Sequence, residues 1–309
     1  MTVSDKLKGI ILPVDTRIDA YSIRAYLDSG GFGLIYLAEH TANATLHIIK
    51  EYMPKKYAYR DEDYNVLPID GEHRPLFFHG RKRFLKEAQT LVSLHHKNIV
   101  QVENFFHAHN TIYLVMPYIT GKNLTGYLER NRKRLKEREI RRLFIPLLHG
   151  LKAMHEKQIL HLDIKPDNIF VDSSLNPLLL DFGSVHTPTE TQEGSTNHVI
   201  TTNFSPIEQY DKDSTLGPWS DIYALCATIR TCMDKQLPPS SQDRSQQDTL
   251  KSAVQQYRFR YSSKLRHAID WGMSVSPEDR PQQVDELLSL LTEQPFSMVE
   301  SLKKWLSRR

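Results

Sequence analysis

A glycine-rich segment, LDSGGFGLIYLAEH at positions 27–40, restricts the fold of this 309-residue chain more than any other feature. Three glycines fall within four residues, which is typical of backbone that turns sharply or approaches a ligand closely. Apolar-rich segments at Tyr21–Leu27 and Leu34–Ala38 flank the glycines and have the composition of β-strands. Nucleotide loops of the Rossmann and Walker types are excluded, because those run from a strand into a helix. The segment therefore predicts either a tight hairpin turn or a phosphate-binding loop between two strands.

Composition narrows the class of protein but not its activity. The net charge is only +3, and acids and bases alternate along most of the chain, which gives no argument for binding to nucleic acid. No apolar run reaches the ~20 residues of a membrane span, and the N-terminal apolar run is too short for a signal peptide. We therefore predict a cytoplasmic protein without a transmembrane segment. Cys226 and Cys232 share one apolar helical segment, which predicts buried free thiols.

The other elements follow from the periodicity of the apolar residues. Further strands are predicted at Thr45–Lys50, around Ile99–Phe106 and at Thr111–Met116. Helices are predicted at Arg81–His95, Ile140–His155, Asp221–Met233, Lys264–Ser274 and Pro281–Leu291, with a polar loop at 234–250. Since the strands lie in the first half, we expect an α+β chain with a small β-rich lobe and a larger, mainly helical lobe.

Two charged residues occupy places where apolar residues are expected. Lys50 ends the apolar strand LHIIK, and Glu87 lies on the apolar stripe of its helix between Phe84 and Leu91. A carboxylate in such a place is costly unless a cation meets it. We therefore predict an ion pair between Lys50 and Glu87, while the alternative of a Glu87 side chain that reaches solvent stays open.

A polar cluster follows the long helix, in the segment HLDIKPDNIF at 161–170. Asp163 can accept a proton from a hydroxyl group, and Lys165 can neutralise a phosphate during its transfer. Asn168 offers a neutral oxygen to a metal ion, and Asp181 ends an apolar strand in LLLDFGSV. A DFG sequence alone is a weak signal, but a D-x-K-P-x-N loop followed by DFG at this spacing is a specific one.

In this order the segments resemble a eukaryotic-type Ser/Thr protein kinase, most like the bacterial members of that family. The resemblance covers the chain from about Tyr21 to Leu291 and comprises eight motifs in order. Besides the segments above, FSPIEQY at 204–210 is similar to the family's APE segment, WSDIYAL at 219–225 to its buried helix carrying an aspartate, and PEDRP at 277–281 to its last motif. In that motif Arg280 is expected to pair with Glu208.

The resemblance implies a bilobal protein-kinase fold, with a small antiparallel β-sheet lobe that contains one helix and a larger, mainly helical lobe. The implied divisions are an N-terminal extension at 1–20, an N-lobe at 21–116 with an insertion at 51–80, a hinge at 117–121, a C-lobe at 122–295 and a basic tail at 296–309. For the insertion, an ordered loop packed on the small lobe and a regulatory or partner surface both stay open.

The implied activity is transfer of the γ-phosphate of ATP to Ser/Thr hydroxyls of a protein substrate and of the chain itself, with Mg²⁺ or alternatively Mn²⁺. The implied catalytic residues are Asp163, Lys165, Lys50, Glu87 and Thr201, and the implied metal ligands are Asn168 and Asp181. The implied nucleotide contacts are Leu27, Gly30, Gly31, Phe32, Gly33, Ile35, Ile48, Lys50, Met116 as gatekeeper, Pro117, Ile119, Asn123 and Phe170.

Four residues depart from the family's pattern. Asp28 takes the place of the first loop glycine, and Pro117 that of a glutamate. Leu162 stands where an arginine reads a phosphate on the activation segment, so activity should depend less on such phosphorylation. Ile48 replaces the small residue that roofs the adenine. This last departure is the main argument for the alternative of a pseudokinase that acts as a nucleotide-binding regulatory module.

The sequence leaves three further questions open. A small-molecule kinase is a third hypothesis, against which Thr201 and the peptide-platform segment Ser205–Glu208 argue. The C-terminal segment FSMVESLKKWLSRR is either a solvated helix or a contact for an anionic membrane or a partner. The hydroxyl residues of the predicted activation segment are either modification sites or part of a polar loop, and they are Thr187, Thr189, Thr191, Ser195 and Thr196.

Overall fold

The structure is a computed structural model that describes residues 9–30, 33–131, 133–181 and 200–292. The chain divides into two compact units, Met1–His95 with Val100–Thr120, and His96–Ile99 with Gly121–Arg309. The first unit is built on an antiparallel sheet and one long helix, and the second is mainly helical. The predicted α+β composition, with the strands concentrated in the first half, is confirmed.

The sheet of the first unit has six antiparallel strands in the order β1-β2-β3-β4-β8-β7. These strands are β1 (Arg17–Ile18), β2 (Tyr21–Ser29), β3 (Gly33–His40), β4 (Leu46–Tyr52), β7 (Asn104–Ala108) and β8 (Thr111–Pro117). The glycine-rich segment connects β2 to β3, and the N–H of Gly30 donates to the carbonyl of Gly33 at 3.0 Å. The predicted turn between antiparallel strands is therefore confirmed.

The helix of this unit, α1 (Arg74–Ser93), begins seven residues before the predicted start and ends two residues before the predicted end. Pro75 lies in its first turn, where the missing N–H of proline costs nothing. Phe77, in the unpredicted part, is buried and packs on Tyr52 of β4 with a ring separation of 5.6 Å. The sequence RPLFFHG before Arg81 concealed this first part of the helix, because Pro75 and Gly80 are residues typical of turns and loops.

The segment 51–80 is ordered and packs on the sheet. It contains the end of β4, a hairpin of β5 (Ala58–Arg60) and β6 (Val66–Pro68), and the first turns of α1. The N–H of Val66 donates to the carbonyl of His109 at 2.8 Å, and Arg60 reaches a carboxylate on β4. The hairpin is thus joined to the sheet by main-chain and side-chain bonds.

The strand predicted around Ile99–Phe106 is wrong in its first half, since β7 begins only at Asn104. Ile99, Val100 and Val102 are all buried, but their segment runs outside the six-stranded sheet. Ile99 instead forms an isolated bridge with Leu179 in the second unit. These residues are apolar because they are buried. Hydrophobic periodicity cannot distinguish a buried irregular segment of this kind from a strand.

The second unit contains a three-stranded sheet and most of the helices. The strands, in spatial order, are β11 (Pro177–Leu179), β10 (Ile169–Val171) and β9 (Lys122–Asn123). The helices are α2 (Leu124–Arg130), α3 (Glu137–His155), α4 (Pro218–Asp234), α5 (Ser241–Gln246), α6 (Ala253–Gln256), α7 (Ser263–Gly272) and α8 (Val284–Thr292). The polar loop predicted at 234–250 is wrong in part, because helix α5 lies within it. Its signal is Ser240, whose hydroxyl caps the helix by accepting the N–H of Asp243 at 3.1 Å.

Helix α4 forms the centre of the second unit, and all of its residues from Ser220 to Met233 are buried. Cys226 and Cys232 both lie in it as free thiols, which confirms the prediction. Burial raises the pKa of each thiol to about 12, so both stay protonated at neutral pH. Among the helices that the structure describes, none is long and apolar enough to cross a membrane.

Candidate active site

One face of the sheet in the first unit carries several of the predicted nucleotide contacts. Ile35 of β3 lies opposite Lys50 of β4, and Ile48 of β4 lies opposite Met116 of β8. Side chains alternate between the two faces of a strand, so residues directly opposite each other share a face. Ile48 and Lys50 are two residues apart, and all four side chains therefore project from the same face. Pro117 ends β8 beside them.

Lys50 pairs with Glu87 of α1 as the sequence predicted. The Lys50 Nζ and the Glu87 Oε1 are 3.3 Å apart, and the two side chains are 17% and 9% exposed. The ammonium group also lies 5.7 Å from the ring centroid of Phe84, one turn earlier on α1. The alternative in which Glu87 reaches solvent is wrong, because the neighbouring helix face packs on the sheet and holds the carboxylate beside the lysine.

The opposite face of β4 carries a buried polar network that the sequence prediction missed. Glu51 is fully buried and accepts bonds from Arg60 at 2.6 Å, Tyr113 at 2.6 Å and Tyr36 at 3.0 Å. Burial raises the pKa of Tyr36 and Tyr113 far above the usual range, so both hydroxyls remain protonated donors. Arg60 also donates to the carbonyl of Ile10 at 2.7 Å. A cation from the hairpin thus neutralises a carboxylate inside the sheet.

The glycines of the loop serve different purposes. A Cβ on Gly33 would lie 2.3 Å from the carbonyl oxygen of Glu51 on β4, so Gly33 lets the two strands approach. A Cβ on Gly30 would meet no atom within 4 Å. Asp28, which replaces the first glycine, lies within β2. The predicted contacts Gly31 and Phe32 lie outside the described residues.

The two glycines give a matched pair of substitutions. We expect Gly33→Ala to lower the free energy of unfolding by about 1–3 kcal/mol, because the added methyl group forces β3 and β4 apart. Gly30→Ala should leave the stability nearly unchanged. Urea denaturation of both variants measures the difference. Equal effects of the two substitutions would contradict the assignment of Gly33 to strand packing.

The second unit gathers three predicted site residues around the carboxylate of a fourth, Asp163. Lys165 Nζ lies 2.9 and 2.8 Å from the two carboxylate oxygens of Asp163 and 3.1 Å from the hydroxyl of Thr201. The Thr201 hydroxyl donates to Asp163 at 2.7 Å, and Asn168 Nδ2 donates to it at 2.9 Å. Asp163 is 8% exposed, so these bonds form in a largely dry environment. The predicted bonds from Thr201 to Asp163 and Lys165 are confirmed.

Two oxygen donors lie next to this cluster. Asn168 Nδ2 donates to the main-chain and side-chain oxygens of Asp163, which turns the amide oxygen of Asn168 away from them. The N–H of Leu180 donates to the carbonyl of Asn168 at 2.8 Å, which brings Asp181 close to Asn168. Asp181 is exposed and has a left-handed backbone, with a φ of 55°. An amide and a carboxylate oxygen are hard donors of the type that Mg²⁺ prefers. Gly183 lies outside the described residues.

Asp221 of α4 holds the loop that carries Asp163 in place by hydrogen bonds to its main chain. Its carboxylate accepts the N–H groups of His161 at 2.9 Å and Leu162 at 2.8 Å, and it lies 2.8 Å from Nε2 of His155. Burial by itself would raise the pKa of Asp221, but the bond from His155 and the neighbouring donors lower it below the usual range. Asp221 therefore stays ionised in the core. Leu162 has a φ of 60°, which is unusual for a bulky residue and depends on these bonds.

The segment after Thr201 is tied to the same core. Glu208 and Arg280 form the predicted pair, with an oxygen–nitrogen distance of 2.7 Å and side chains that are 2% and 0% exposed. Gln209 Nε2 donates to the carbonyl of Leu162 at 2.9 Å, a contact that the sequence prediction did not contain. The segment at 204–210 is thus connected directly to the loop at 161–170 that carries Asp163.

The remaining predicted contacts have varied environments. Leu27 is 47% exposed and Ile119 is 38% exposed. Asn123 caps helix α2, because its side-chain oxygen accepts the N–H of Gly126 at 2.9 Å. Phe170 lies opposite Asn123 in the small sheet. The structure gives Asn123 a capping role that its sequence position did not reveal.

These features together match one family. The model of the protein kinase domain matches residues 21–296, so the chain belongs to the protein kinase family. Within it, the chain is similar to serine/threonine-protein kinase D of Synechocystis, with 30% identity over 288 residues that make up 89% of the chain and 52% of that protein. It is 29% identical to serine/threonine-protein kinase PLK2 of Mus musculus over 84% of the chain and 35% of that protein.

The chain is also similar to a solved structure over most of its length. The structure described as the PpkA-294 apo form is similar with a TM-score of 0.81 and 33% identity, over 91% of this chain and 99% of that one. The predicted kinase fold and the predicted resemblance to Ser/Thr kinases, bacterial ones included, are confirmed. The chain spans only about a third to a half of the length of the two curated relatives.

Proposed function

We propose that the chain is an active, ATP- and Mg²⁺-dependent protein kinase that phosphorylates Ser/Thr hydroxyls of a protein substrate and its own chain. The observation that supports this most is the cluster around Asp163, in which Lys165, Thr201 and Asn168 all bond to one carboxylate. The Ser/Thr kinase names of the relatives point the same way. Family membership alone does not supply a catalytic site, whereas this arrangement of groups does.

Asp163 orients the substrate hydroxyl and accepts its proton as the new bond to phosphorus forms. Lys165 lies within bonding distance of Asp163 and Thr201, so its charge is available to the transferred phosphate. Thr201 bonds to both residues and joins them to the segment that binds the peptide. In such a reaction, positioning and charge neutralisation account for most of the catalysis.

Asn168 and Asp181 are the residues that would hold Mg²⁺, whose charge neutralises the phosphate oxygens during transfer. The bonds from Asn168 to Asp163 set the orientation of its amide before any metal binds. On the sheet of the first unit, Lys50 binds the α- and β-phosphates and Glu87 keeps its ammonium group in place. Ile48 and Met116 line the adenine from the same face.

The alternative is a pseudokinase. The argument for it is Ile48, which replaces the small residue that roofs the adenine in the family. The assay that separates the two hypotheses is incubation with γ-labelled ATP and Mg²⁺, with a generic protein substrate and without one. Label on the substrate or on the chain itself supports the enzyme. ATP binding without any transfer supports the pseudokinase.

Lys50→Met is expected to lower kcat/KM by about 10²–10³-fold, because one preorganised cation is lost from the phosphates. The fold should survive, since a methionine of similar length can still pack on Phe84. Lys82→Met, at an exposed lysine of the same helix, is the matched control and should keep wild-type activity. Full activity of Lys50→Met would rule out the assigned role of the Lys50–Glu87 pair.

A further inference from the structure

The second unit presents a phenylalanine entirely to solvent. The turn YRFRY at 257–261 contains Phe259, which is 98% exposed, between Tyr257 and Tyr261, which are 3% and 4% exposed. A single exposed apolar side chain is ordinary on a protein surface, so Phe259 becomes informative only together with the charges around it.

The turn itself is firmly held. The N–H groups of Arg260 and Tyr261 donate to the carbonyl of Tyr257 at 3.0 and 3.2 Å. The Tyr261 hydroxyl donates to the carbonyl of Leu135 at 2.8 Å. The two buried tyrosines therefore fix the turn to the body of the unit, and Phe259 projects from a defined place.

Cations surround this phenylalanine. Arg258 and Arg260 flank it, and Arg260 reaches the carbonyl of Arg134 at 3.4 Å. Arg134 also lies 5.7 Å from the ring centroid of Tyr257. The segment RNRKRLK at 130–136 has five cations and no acid, although the net charge of the whole chain is only +3. We name the exposed group Lys133, Arg134, Lys136, Arg258, Phe259 and Arg260 the basic-aromatic patch.

The acids that follow this segment are engaged elsewhere. Glu137 accepts bonds from Arg141 and from the N–H and hydroxyl of Ser262. Glu139 accepts the N–H of Lys136 at 2.7 Å, as a cap on helix α3. Glu137 is paired with the cation Arg141, and the single charge of Glu139 is outnumbered by the five cations of the basic-aromatic patch.

We propose that the basic-aromatic patch binds the surface of an anionic membrane. The cations attract anionic headgroups, and each contributes substantially when it lies near such a surface. Phe259 enters the boundary between headgroups and acyl chains, where an aromatic ring gains apolar contact without crossing the bilayer. A convex turn with a single protruding ring fits a broad, soft surface of this kind.

Single-stranded nucleic acid is the other polyanion that the patch could attract. Its bases stack on aromatic rings that lie along a charged groove. Phe259 instead projects from the tip of a turn, where it is 98% exposed and the guanidinium of Arg258 lies 5.7 Å from its ring centroid. The geometry therefore favours a lipid surface.

Sedimentation of the whole chain with vesicles tests the proposal. We expect binding to vesicles of phosphatidylserine and phosphatidylcholine, little binding to phosphatidylcholine alone, and loss of binding at high ionic strength. The double substitution Arg258→Glu/Arg260→Glu should weaken binding at least about 30-fold. Phe259→Ser should weaken it about tenfold.

Matched controls come from the first unit. Lys82→Glu/Arg83→Glu changes the net charge equally at two exposed residues, and Ile69→Ser removes an apolar side chain that is 50% exposed. Both should bind as the wild type does. All patch variants should keep phosphate transfer to a soluble substrate, which verifies their fold.

Three results would overturn the proposal. Unchanged vesicle binding in both patch variants is the first, and loss of binding only with Trp305→Ser, in the basic tail, is the second. The third is tighter binding to single-stranded RNA than to anionic vesicles, with the same sensitivity to the patch substitutions. That result would assign the patch to nucleic acid.

Discussion

Replacing Asp163 by asparagine is expected to lower kcat for phosphate transfer by roughly 10²–10⁴-fold, the usual contribution of a general base. The carboxylate accepts bonds from Lys165, Thr201 and Asn168, and an amide of the same shape has only one accepting oxygen. Its NH₂ group would face Lys165 or Asn168, which are both donors. The substitution therefore removes the base and disturbs the residues around it.

The measurement is steady-state transfer of labelled phosphate, with ATP binding measured in parallel. ATP affinity should change much less than kcat, because Asp163 acts on the acceptor hydroxyl. Asp167→Asn is the matched control, since Asp167 is an exposed aspartate in the same loop. A kcat within about tenfold of the wild type for Asp163→Asn would contradict the assigned role.

Arg60→Met is expected to lower the free energy of unfolding by about 3–5 kcal/mol, the usual effect of breaking a buried ion pair. Glu51 is fully buried, and the Arg60 side chain is 1% exposed. Tyr36 and Tyr113 would remain as donors, but neither carries the positive charge that the carboxylate needs. The loss comes mainly from a buried charge left without its counterion.

The contribution of the buried ion pair can be isolated by denaturant unfolding of three variants, each compared with the wild type. They are Arg60→Met, Arg24→Met and the double variant Arg60→Met/Glu51→Gln. Arg24→Met removes an arginine from the exposed pairs with Asp15 and Glu39, and it should change the stability little. Adding Glu51→Gln to Arg60→Met should restore part of the stability, because the unpaired charge is then gone. Equal losses for Arg60→Met and Arg24→Met would show that the buried pair contributes no more than an exposed one.

The candidate site was more predictable from sequence than some of the elements around it. Asp163, Lys165 and Asn168 lie in one short loop, so their spacing alone places them together. Lys50 and Glu87 are 37 residues apart, but each was conspicuous as a charge on an apolar surface. Such local contrasts in polarity are visible in a sequence because the cost of burying a charge demands a partner.

Contacts between ordinary residues were not predictable in this way. Gln209 is a common polar residue, and only the folded chain brings it to the carbonyl of Leu162. The hairpin cation Arg60 lies in a polar sequence where nothing marks it as buried. Glu51 did leave a signal, since it follows Lys50 directly and the alternation of a strand must place the two on opposite faces. A carboxylate on the second, buried face requires a buried cation beside it.

The two faces of β4 have a further consequence for the pairing of the sheet. A slip of β4 by one residue would exchange the faces of Lys50 and Glu51 and present a carboxylate where phosphate is expected. The slipped chain would also bury an ammonium group beside Arg60. Lys50 and Glu51 are adjacent, have opposite charges and each suit a different environment. Together they therefore disfavour a one-residue shift in strand pairing during folding.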